Sequence, residues 1–139
     1  MSKLFIPIRG ATYLLPTPAE NDPHSKHLFV QLTKPVKQHG HEMVLLTSFS
    51  TKRQGGRYDK TRIIAKGENK FLRHESYVDY KYTKIESVKE IRELIETGEA
   101  EYKEGMIEEK LVEWICEGLF KSKYTPKKAL EFYKYATSK

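Results

Sequence analysis

The sequence has one cysteine, Cys116, among 139 residues, and it has no apolar run near the length that a membrane helix needs. A single cysteine excludes an internal disulfide framework and a cysteine-based zinc site, and it favours a reducing compartment such as the cytoplasm. The start is not typical of a secretory signal, because Pro7 and Arg9 interrupt the apolar stretch Leu4–Ile6. Glycine patterns of dinucleotide and P-loop sites are also missing. With 38% hydrophobic and 32% charged residues, the sequence predicts one folded domain over residues 1–139, without a membrane partner.

Positive charge is in excess, and it is concentrated in one part of the chain. Lys and Arg number 25 against 19 Asp and Glu, which gives a formal net charge of +6. Residues 1–85 hold 15 basic and 7 acidic side chains, whereas residues 86–139 hold 10 basic and 12 acidic ones. Such asymmetry is typical of a protein with a polyanionic partner, with simple solubility as the alternative.

The basic part has the short apolar stretches and turns of a β-structure. Strands are predicted at Lys3–Ile8, Ala11–Leu15, His27–Thr33, Glu42–Thr47, Thr61–Ala65 and Ser76–Tyr82. Alternation in the last strand predicts two faces, one with Tyr77, Asp79 and Lys81 and the other with Val78, Tyr80 and Tyr82. Five or six short strands joined by brief turns predict a small barrel or a strongly bent sheet over residues 1–85.

Residues 86–139 have helical periodicity instead. Ser87–Glu90 has the S-x-x-E spacing of a capping box, which predicts a helix that begins there. A second helix is predicted from about Met106 to Lys121, and a third is predicted to begin at Thr125-Pro126. The predicted fold class is therefore α+β, a small β-barrel of five to six strands with C-terminal helices packed on it.

Candidate phosphate-binding residues follow the predicted strand 42–47. They are Ser50, Thr51, Lys52, Arg53 and Arg57. Hydroxyls and basic side chains at a strand end are well placed to hold phosphate oxygens. From position 52 to position 73 there are eight basic residues against two acidic ones, a balance that suits a loop following a nucleic-acid backbone. The alternative is a solvated loop in which Ser and Thr are turn residues.

A second cluster lies where the strand 76–82 begins, and it contains Arg73, His74, Glu75 and Tyr77. Histidine is suited to moving protons near neutral pH, arginine to stabilising charge on a phosphate, and tyrosine to stacking on bases. Together they suit metal-free RNA cleavage, in which one group takes the proton of the 2′-hydroxyl and another protonates the leaving 5′-oxygen. The alternative is a local turn hydrogen bond, with the tyrosines filling the barrel.

Several histidines also raise the question of a metal site. They are His24, His27, His39 and His41. Because no cysteine and no H-E-x-x-H helix accompany them, we predict no metal and no cofactor. Cys116, inside the second predicted helix, is expected to be a small buried hydrophobe.

The order of the strands adds a resemblance. Lys26–Thr33 places a basic residue before an apolar strand ending in Thr, and Met43–Thr51 is an apolar strand that closes in hydroxyls. Ile63–Ala65, Ser76–Asp79 and a helix then follow, so the order covers residues 1–120. This order resembles the MazF/PemK (Kid) family of toxin ribonucleases. The resemblance implies an SH3-like barrel, a homodimer, metal-independent cleavage of single-stranded RNA and an antitoxin protein as partner.

The resemblance also implies roles for particular residues. Where the family has an arginine before the second apolar strand, the corresponding residue here is Lys26 or His27; where the family has a catalytic Thr or Ser, it is Ser50 or Thr51. Together with the clusters above, the predicted catalytic residues are His27, Thr51, Arg73 and His74. The predicted RNA-binding residues are Lys26, Ser50, Lys52, Arg53, Arg57 and Tyr77.

Two other functions remain open at this point. One is a non-enzymatic SH3-like barrel that binds nucleic acid. The other is a protein-interaction or inhibitor module of a mobile element, docking through an acidic helix face formed by Glu108, Glu109, Glu113 and Glu117.

Overall fold

The fold is described from a computed structural model, which covers residues 5–17, 25–52, 55–67 and 72–138. Over these ranges it is an α+β fold, in which seven strands form one curled antiparallel sheet accompanied by three helices. The strands are β1 (Ala11–Pro16), β2 (Lys26–Gln31), β3 (Val36–Gln38), β4 (His41–Thr51), β5 (Ile63–Ile64), β6 (Ser76–Ser87) and β7 (Glu101–Met106). The helices are α1 (Val88–Glu96), α2 (Glu109–Leu119) and α3 (Lys127–Thr137). None of these helices is long and apolar enough to span a membrane.

The sheet is built around its two longest strands, β4 and β6. Neighbouring strands follow the order β5-β6-β4-β2-β1-β7, and β3 pairs with β4 outside this path. The β4–β6 register runs from Met43↔Ser87 to Thr51↔Ser76 and shifts between Leu46 and Ser48. Because such an irregularity bends a strand and increases its twist, it contributes to the curl of the sheet.

Each face of the sheet has its own apolar cluster. Val30 belongs to the cluster that contains Ile115 of α2 and Phe132 of α3. The preceding residue, Phe29, belongs to the other cluster, which contains Val88 and Ile91 of α1. Successive side chains of a strand point to opposite faces, so the sheet is covered by α2 and α3 on one side and by α1 on the other.

Several predicted elements are confirmed. The strand at 11–15 is β1, and the stretches at 42–47 and 76–82 lie inside β4 and β6. Helix α1 is capped as its sequence indicates, because the backbone N–H of Glu90 donates a 3.0 Å hydrogen bond to Oγ of Ser87. Cys116 is buried among apolar side chains, as predicted.

The predicted strand at 3–8 is wrong for the part that the structure describes, residues 5–8, which are not in a strand. Pro7 has no N–H to donate to a ladder, and the N–H of Ile8 instead donates to the carbonyl of Ile6 at 3.0 Å. Residues 3 and 4 lie outside the described residues.

Strand β7 is the main element that the sequence pattern misses. Its residues pair with β1, with Tyr102 opposite Tyr13, so residues 86–139 complete the sheet as well as contributing the helices. The predicted start of the second helix at Met106 is wrong for the same reason. Met106 ends β7, and α2 begins three residues later.

Candidate functional site

A cleft of about 510 Å³ lies where the beginning of β2 and the end of β4 meet the first half of β6, beside the loop before β5. Its lining side chains include Lys26, His27 and Leu28 of β2, Phe49, Ser50 and Thr51 of β4, Arg57 and Tyr58 of the loop, and Ser76, Tyr77, Asp79, Lys81 and Tyr82 of β6. We call this space the β2–β6 cleft.

Strand register explains why polar residues meet there. Phe29 of β2 lies opposite Ser48 of β4, and His27, two residues before Phe29, lines the cleft together with Ser50. Ser50 in turn lies opposite Tyr77 of β6. Neighbouring strands are about 4.8 Å apart, so side chains of three strands meet in this region.

His27 is held in a fixed orientation. Its side chain is half-buried, and its Nδ1 atom shares a hydrogen bond with Oγ1 of Thr17, just past the end of β1. A bond at Nδ1 fixes the ring plane and leaves Nε2 as the nitrogen for other partners.

Asp79 is the buried carboxylate of the cleft. The residue is only 4% exposed, and its Oδ2 accepts a 3.2 Å hydrogen bond from Oγ of Ser50. Burial raises the pKa of Asp79, and this effect is partly offset by the charges of Lys81 and His27 and by the Ser50 hydrogen bond. The cleft therefore holds a histidine and a carboxyl group that influence each other electrostatically.

Two aromatic rings also line the cleft, and two lysines lie beside one of them. The rings of Tyr58 and Tyr77 lie 5.2 Å apart, tilted by 39°. Burial raises the pKa of the Tyr77 hydroxyl, and the neighbouring Asp79 raises it further, so Tyr77 stays a neutral hydrogen-bond donor. The Nζ atoms of Lys52 and Lys60 lie 5.5 and 5.8 Å from the centre of the Tyr58 ring.

The basic side chains of the cleft are exposed. They are Lys26, Arg57 and Lys81. Lys52 differs from them, because its Nζ forms a 2.7 Å ion pair with Oε1 of Glu75. Three exposed cations and one buried carboxylate therefore line the cleft, which favours an anionic ligand.

The structure brings together six of the ten site residues that the sequence predicts. They are Lys26, His27, Ser50, Thr51, Arg57 and Tyr77. Lys52 does not line the cleft but contacts it through Tyr58. Arg73 and His74 are exposed on the bend before β6 and do not line the cleft, and the carbonyl of His74 accepts a 2.9 Å hydrogen bond from Oγ of Ser76. Arg53 lies outside the described residues.

Other lining residues were missed as site residues, notably Asp79, Lys81, Tyr58 and Tyr82. The predicted faces are correct for Asp79, which lines the cleft, and for Tyr80, which is in the core. Tyr82 was predicted to share the face of Tyr80, but it is 51% exposed and lines the cleft. It lies in the stretch of β6 where the register with β4 shifts, which strict alternation cannot anticipate. An acidic residue inside an apolar strand was the available signal for Asp79.

The histidines considered as metal ligands are not gathered in one place. His39, with φ of 54°, and Gly40 form the two-residue turn between β3 and β4, while His27 lines the cleft; His24 lies outside the described residues. Within the part of the chain that the structure describes, no three His, Cys, Asp or Glu side chains are grouped closely enough to hold a metal ion.

No protein-family model, no curated protein and no solved structure matches this chain.

Proposed function

We propose that this protein is a metal-independent endoribonuclease that binds single-stranded RNA in the β2–β6 cleft and cleaves it there. The observation that carries the proposal is that His27 and the buried carboxyl group of Asp79 line one cleft together with exposed cations and tyrosine rings. Each of these groups supplies one of the needs of RNA cleavage without a metal.

Binding is the first of these needs. Lys26, Arg57 and Lys81 present positive charge to the phosphates. Tyr58 and Tyr77 offer ring faces on which unpaired bases stack, a mode of contact that a base-paired duplex cannot use. Exposed cations beside stacking rings therefore favour a single strand over a double helix.

Chemistry is the second need. The carboxylate of Asp79 accepts the proton of a ribose 2′-hydroxyl, and the 2′-oxygen attacks the adjacent phosphorus. The bond from phosphorus to the 5′-oxygen breaks, and His27 donates a proton to that oxygen through Nε2. The products are a 2′,3′-cyclic phosphate and a 5′-hydroxyl, so no water, metal or redox partner takes part.

The surroundings of the two groups support these roles. Burial raises the pKa of Asp79 and makes it a stronger base than a free carboxylate. The hydrogen bond between Thr17 and Nδ1 of His27 orients the ring. Arg57 and Lys81 lie where they can stabilise the negative charge that develops on the phosphate.

The same proposal includes the wider MazF/PemK resemblance. A curled antiparallel sheet with helices packed on it is compatible with a small barrel, and the proposal takes that barrel to be SH3-like. A toxin role would add an antitoxin protein, a homodimer and a cytoplasmic location, and these rest on the resemblance alone.

The direct test is incubation of the purified protein with end-labelled single-stranded RNA in EDTA. We expect discrete fragments that end in a 2′,3′-cyclic phosphate and begin with a 5′-hydroxyl. Intact RNA, with folding confirmed by circular dichroism, would overturn the cleavage proposal. Salt-dependent binding without fragments would instead support a non-enzymatic RNA-binding barrel.

A further inference from the structure

A second basic groove continues from the β2–β6 cleft toward the loop between α2 and α3. Its volume is about 540 Å³, and its lining includes Tyr58, Lys60, Lys121, Lys123 and Tyr124. We call it the lysine groove. A hollow of about 350 Å³ lies between the two spaces and shares Tyr77 with the cleft and Tyr124 with the groove.

The walls of the lysine groove are joined by a buried hydrogen-bond cluster. Oγ of Ser122 donates a 2.6 Å hydrogen bond to Oδ2 of Asp59, which is 6% exposed. The other oxygen of Asp59 accepts hydrogen bonds from the backbone N–H and the hydroxyl of Thr61, and the N–H of Tyr124 donates to Ser122 at 3.1 Å. These bonds hold the loop before β5 against the α2–α3 loop, so the two walls of the groove have a fixed relative position.

The charge of the lysine groove is strongly positive. Lys60, Lys121 and Lys123 are exposed, whereas the carboxylate of Asp59 is buried and already accepts three hydrogen bonds. Residues 118–139 carry six basic side chains and one acidic side chain, although residues 86–139 as a whole are slightly acidic. The positive surface of the first part of the chain therefore extends onto the α2–α3 loop.

An aromatic ring accompanies these lysines. Tyr124 is 49% exposed, and Nζ of Lys123 lies 5.3 Å from the centre of its ring. Tyr58 lines the groove, the hollow and the cleft, so rings are present along the whole path. Alternating cations and exposed rings along a groove are what a flexible single strand needs, because phosphates and bases are contacted in turn.

We propose that the lysine groove is an extended subsite, which binds the nucleotides of a single-stranded RNA that continue beyond the β2–β6 cleft. Lys121 and Lys123 contact phosphates, and Tyr124 stacks on a base. This inference takes single-stranded RNA as the ligand from the proposed function. It concerns the length of RNA that the protein binds and not the cleavage of that RNA.

The test measures affinity against length. Kd is determined by fluorescence anisotropy for labelled oligonucleotides of about 4 and about 12 nucleotides, lengths within the range that small single-strand-binding domains cover. The oligonucleotides carry 2′-fluoro groups, so the attacking hydroxyl is absent and they remain intact. The variant combines Lys121→Ala, Lys123→Ala and Tyr124→Ala. The matched control, Lys127→Ala with Lys128→Ala, removes two exposed lysines of α3 that do not line the groove.

We expect the wild type and the control to bind the longer oligonucleotide more tightly than the shorter one. The groove variant should bind the shorter one as the wild type does, and lose roughly tenfold or more in affinity for the longer one, the scale of one lost base stack. Equal losses in the variant and the control, or a loss independent of length, would overturn the subsite. Absence of binding by the wild type would overturn both proposals. Normal binding without cleavage of ordinary RNA would overturn the nuclease alone.

Discussion

The hydroxyl of Tyr80, in β6, donates a 2.7 Å hydrogen bond to the backbone carbonyl of Ile115, in α2. Both residues are fully buried, and burial raises the pKa of Tyr80, so the hydroxyl remains a neutral donor. Gly118 lies one turn further along α2, where a Cβ atom would stand 2.0 Å from the Tyr80 oxygen. Helix α2, which ends two residues before Lys121, is thus positioned on the sheet by one hydrogen bond and one close approach.

We expect Gly118→Ala to destabilise the protein by about 1–3 kcal/mol, the usual cost of overpacking a core. The better helix propensity of alanine, worth about 1 kcal/mol, does not offset the clash. Thermal or urea unfolding measures the change. Because the phenolic oxygen is the nearest obstacle, adding Tyr80→Phe should cost less in the Gly118→Ala protein than in the wild type. Additive effects of the two substitutions would contradict this account of the contact.

Substitutions of His27 and His74 test whether the chemistry takes place in the cleft or at the bend before β6. We expect His27→Gln to reduce RNA cleavage by about 10²–10⁴-fold, the contribution of a positioned proton donor, with little change in Tm. His74→Gln is the matched control, because His74 is exposed and does not line the cleft, and it should retain cleavage. Initial rates with end-labelled RNA measure both. The reverse pattern would assign the chemistry to His74, which the sequence predicted to be catalytic together with His27.

Asp79→Asn should also reduce cleavage by about 10²–10⁴-fold, because the amide does not accept a proton but still accepts the hydrogen bond from Ser50. The matched control is Glu86→Gln. Burial raises the pKa of Glu86 as well, but this residue does not line the cleft, so its variant should cleave RNA normally. If the two variants lose activity equally, Asp79 has no special role in the chemistry.

The raised pKa of Asp79 also predicts how stability changes with pH. A carboxyl group whose pKa is higher in the folded than in the unfolded chain binds its proton more tightly when folded. Its contribution to stability is therefore fully present below the unfolded pKa, near 3.8, and is lost as pH rises through the higher folded value. The Tm of Asp79→Asn relative to wild type should increase between about pH 4 and pH 7. A Tm difference that stays constant or falls over this range would contradict the raised pKa.

Salt dependence tests whether the cleft cations contact phosphates. We expect the logarithm of the binding constant for single-stranded RNA to fall linearly with the logarithm of salt concentration. Lys26→Ala and Arg57→Ala should each reduce the slope by about 0.7, the value for one phosphate contact with a single strand. Lys89→Ala on α1, which is exposed and does not line the cleft, is the control and should leave the slope unchanged. If Lys26→Ala and Arg57→Ala have the same slope as Lys89→Ala, these phosphate contacts are excluded.

The sequence predicts those parts of the fold in which local pattern and tertiary packing agree. The spacing of Ser87 and Glu90 predicts the start of α1, and the hydrogen bond between them is present. The alternation from Tyr77 to Tyr80 likewise matches the two faces on which these residues lie. Strand β7 carries no such signal. It is a polar edge strand, and only its pairing with β1 and the packing of Tyr102 on Tyr13 define it.

The sequence predicts which strand ends form the site better than it predicts the individual residues that line it. Lys26, His27, Ser50 and Thr51 follow from strand ends rich in bases and hydroxyls, and register does bring them together. Arg73 and His74 are near the cleft in sequence but not among its lining residues, because the turn before β6 directs them to solvent. The contribution of Lys121 and Lys123 depends on how α2 packs across the sheet, which no local pattern encodes.

The pairing of β1 with β7 has a consequence for how the chain acquires its structure during synthesis. Among the strands that the structure describes, β1 comes first in the chain, yet one of its two neighbours, β7, comes last. Until that segment emerges, β1 has an open edge available for pairing with another chain. The edge of β1 is therefore covered only once residues 101–106 are available, and we expect a nascent chain halted before residue 101 to be prone to aggregate.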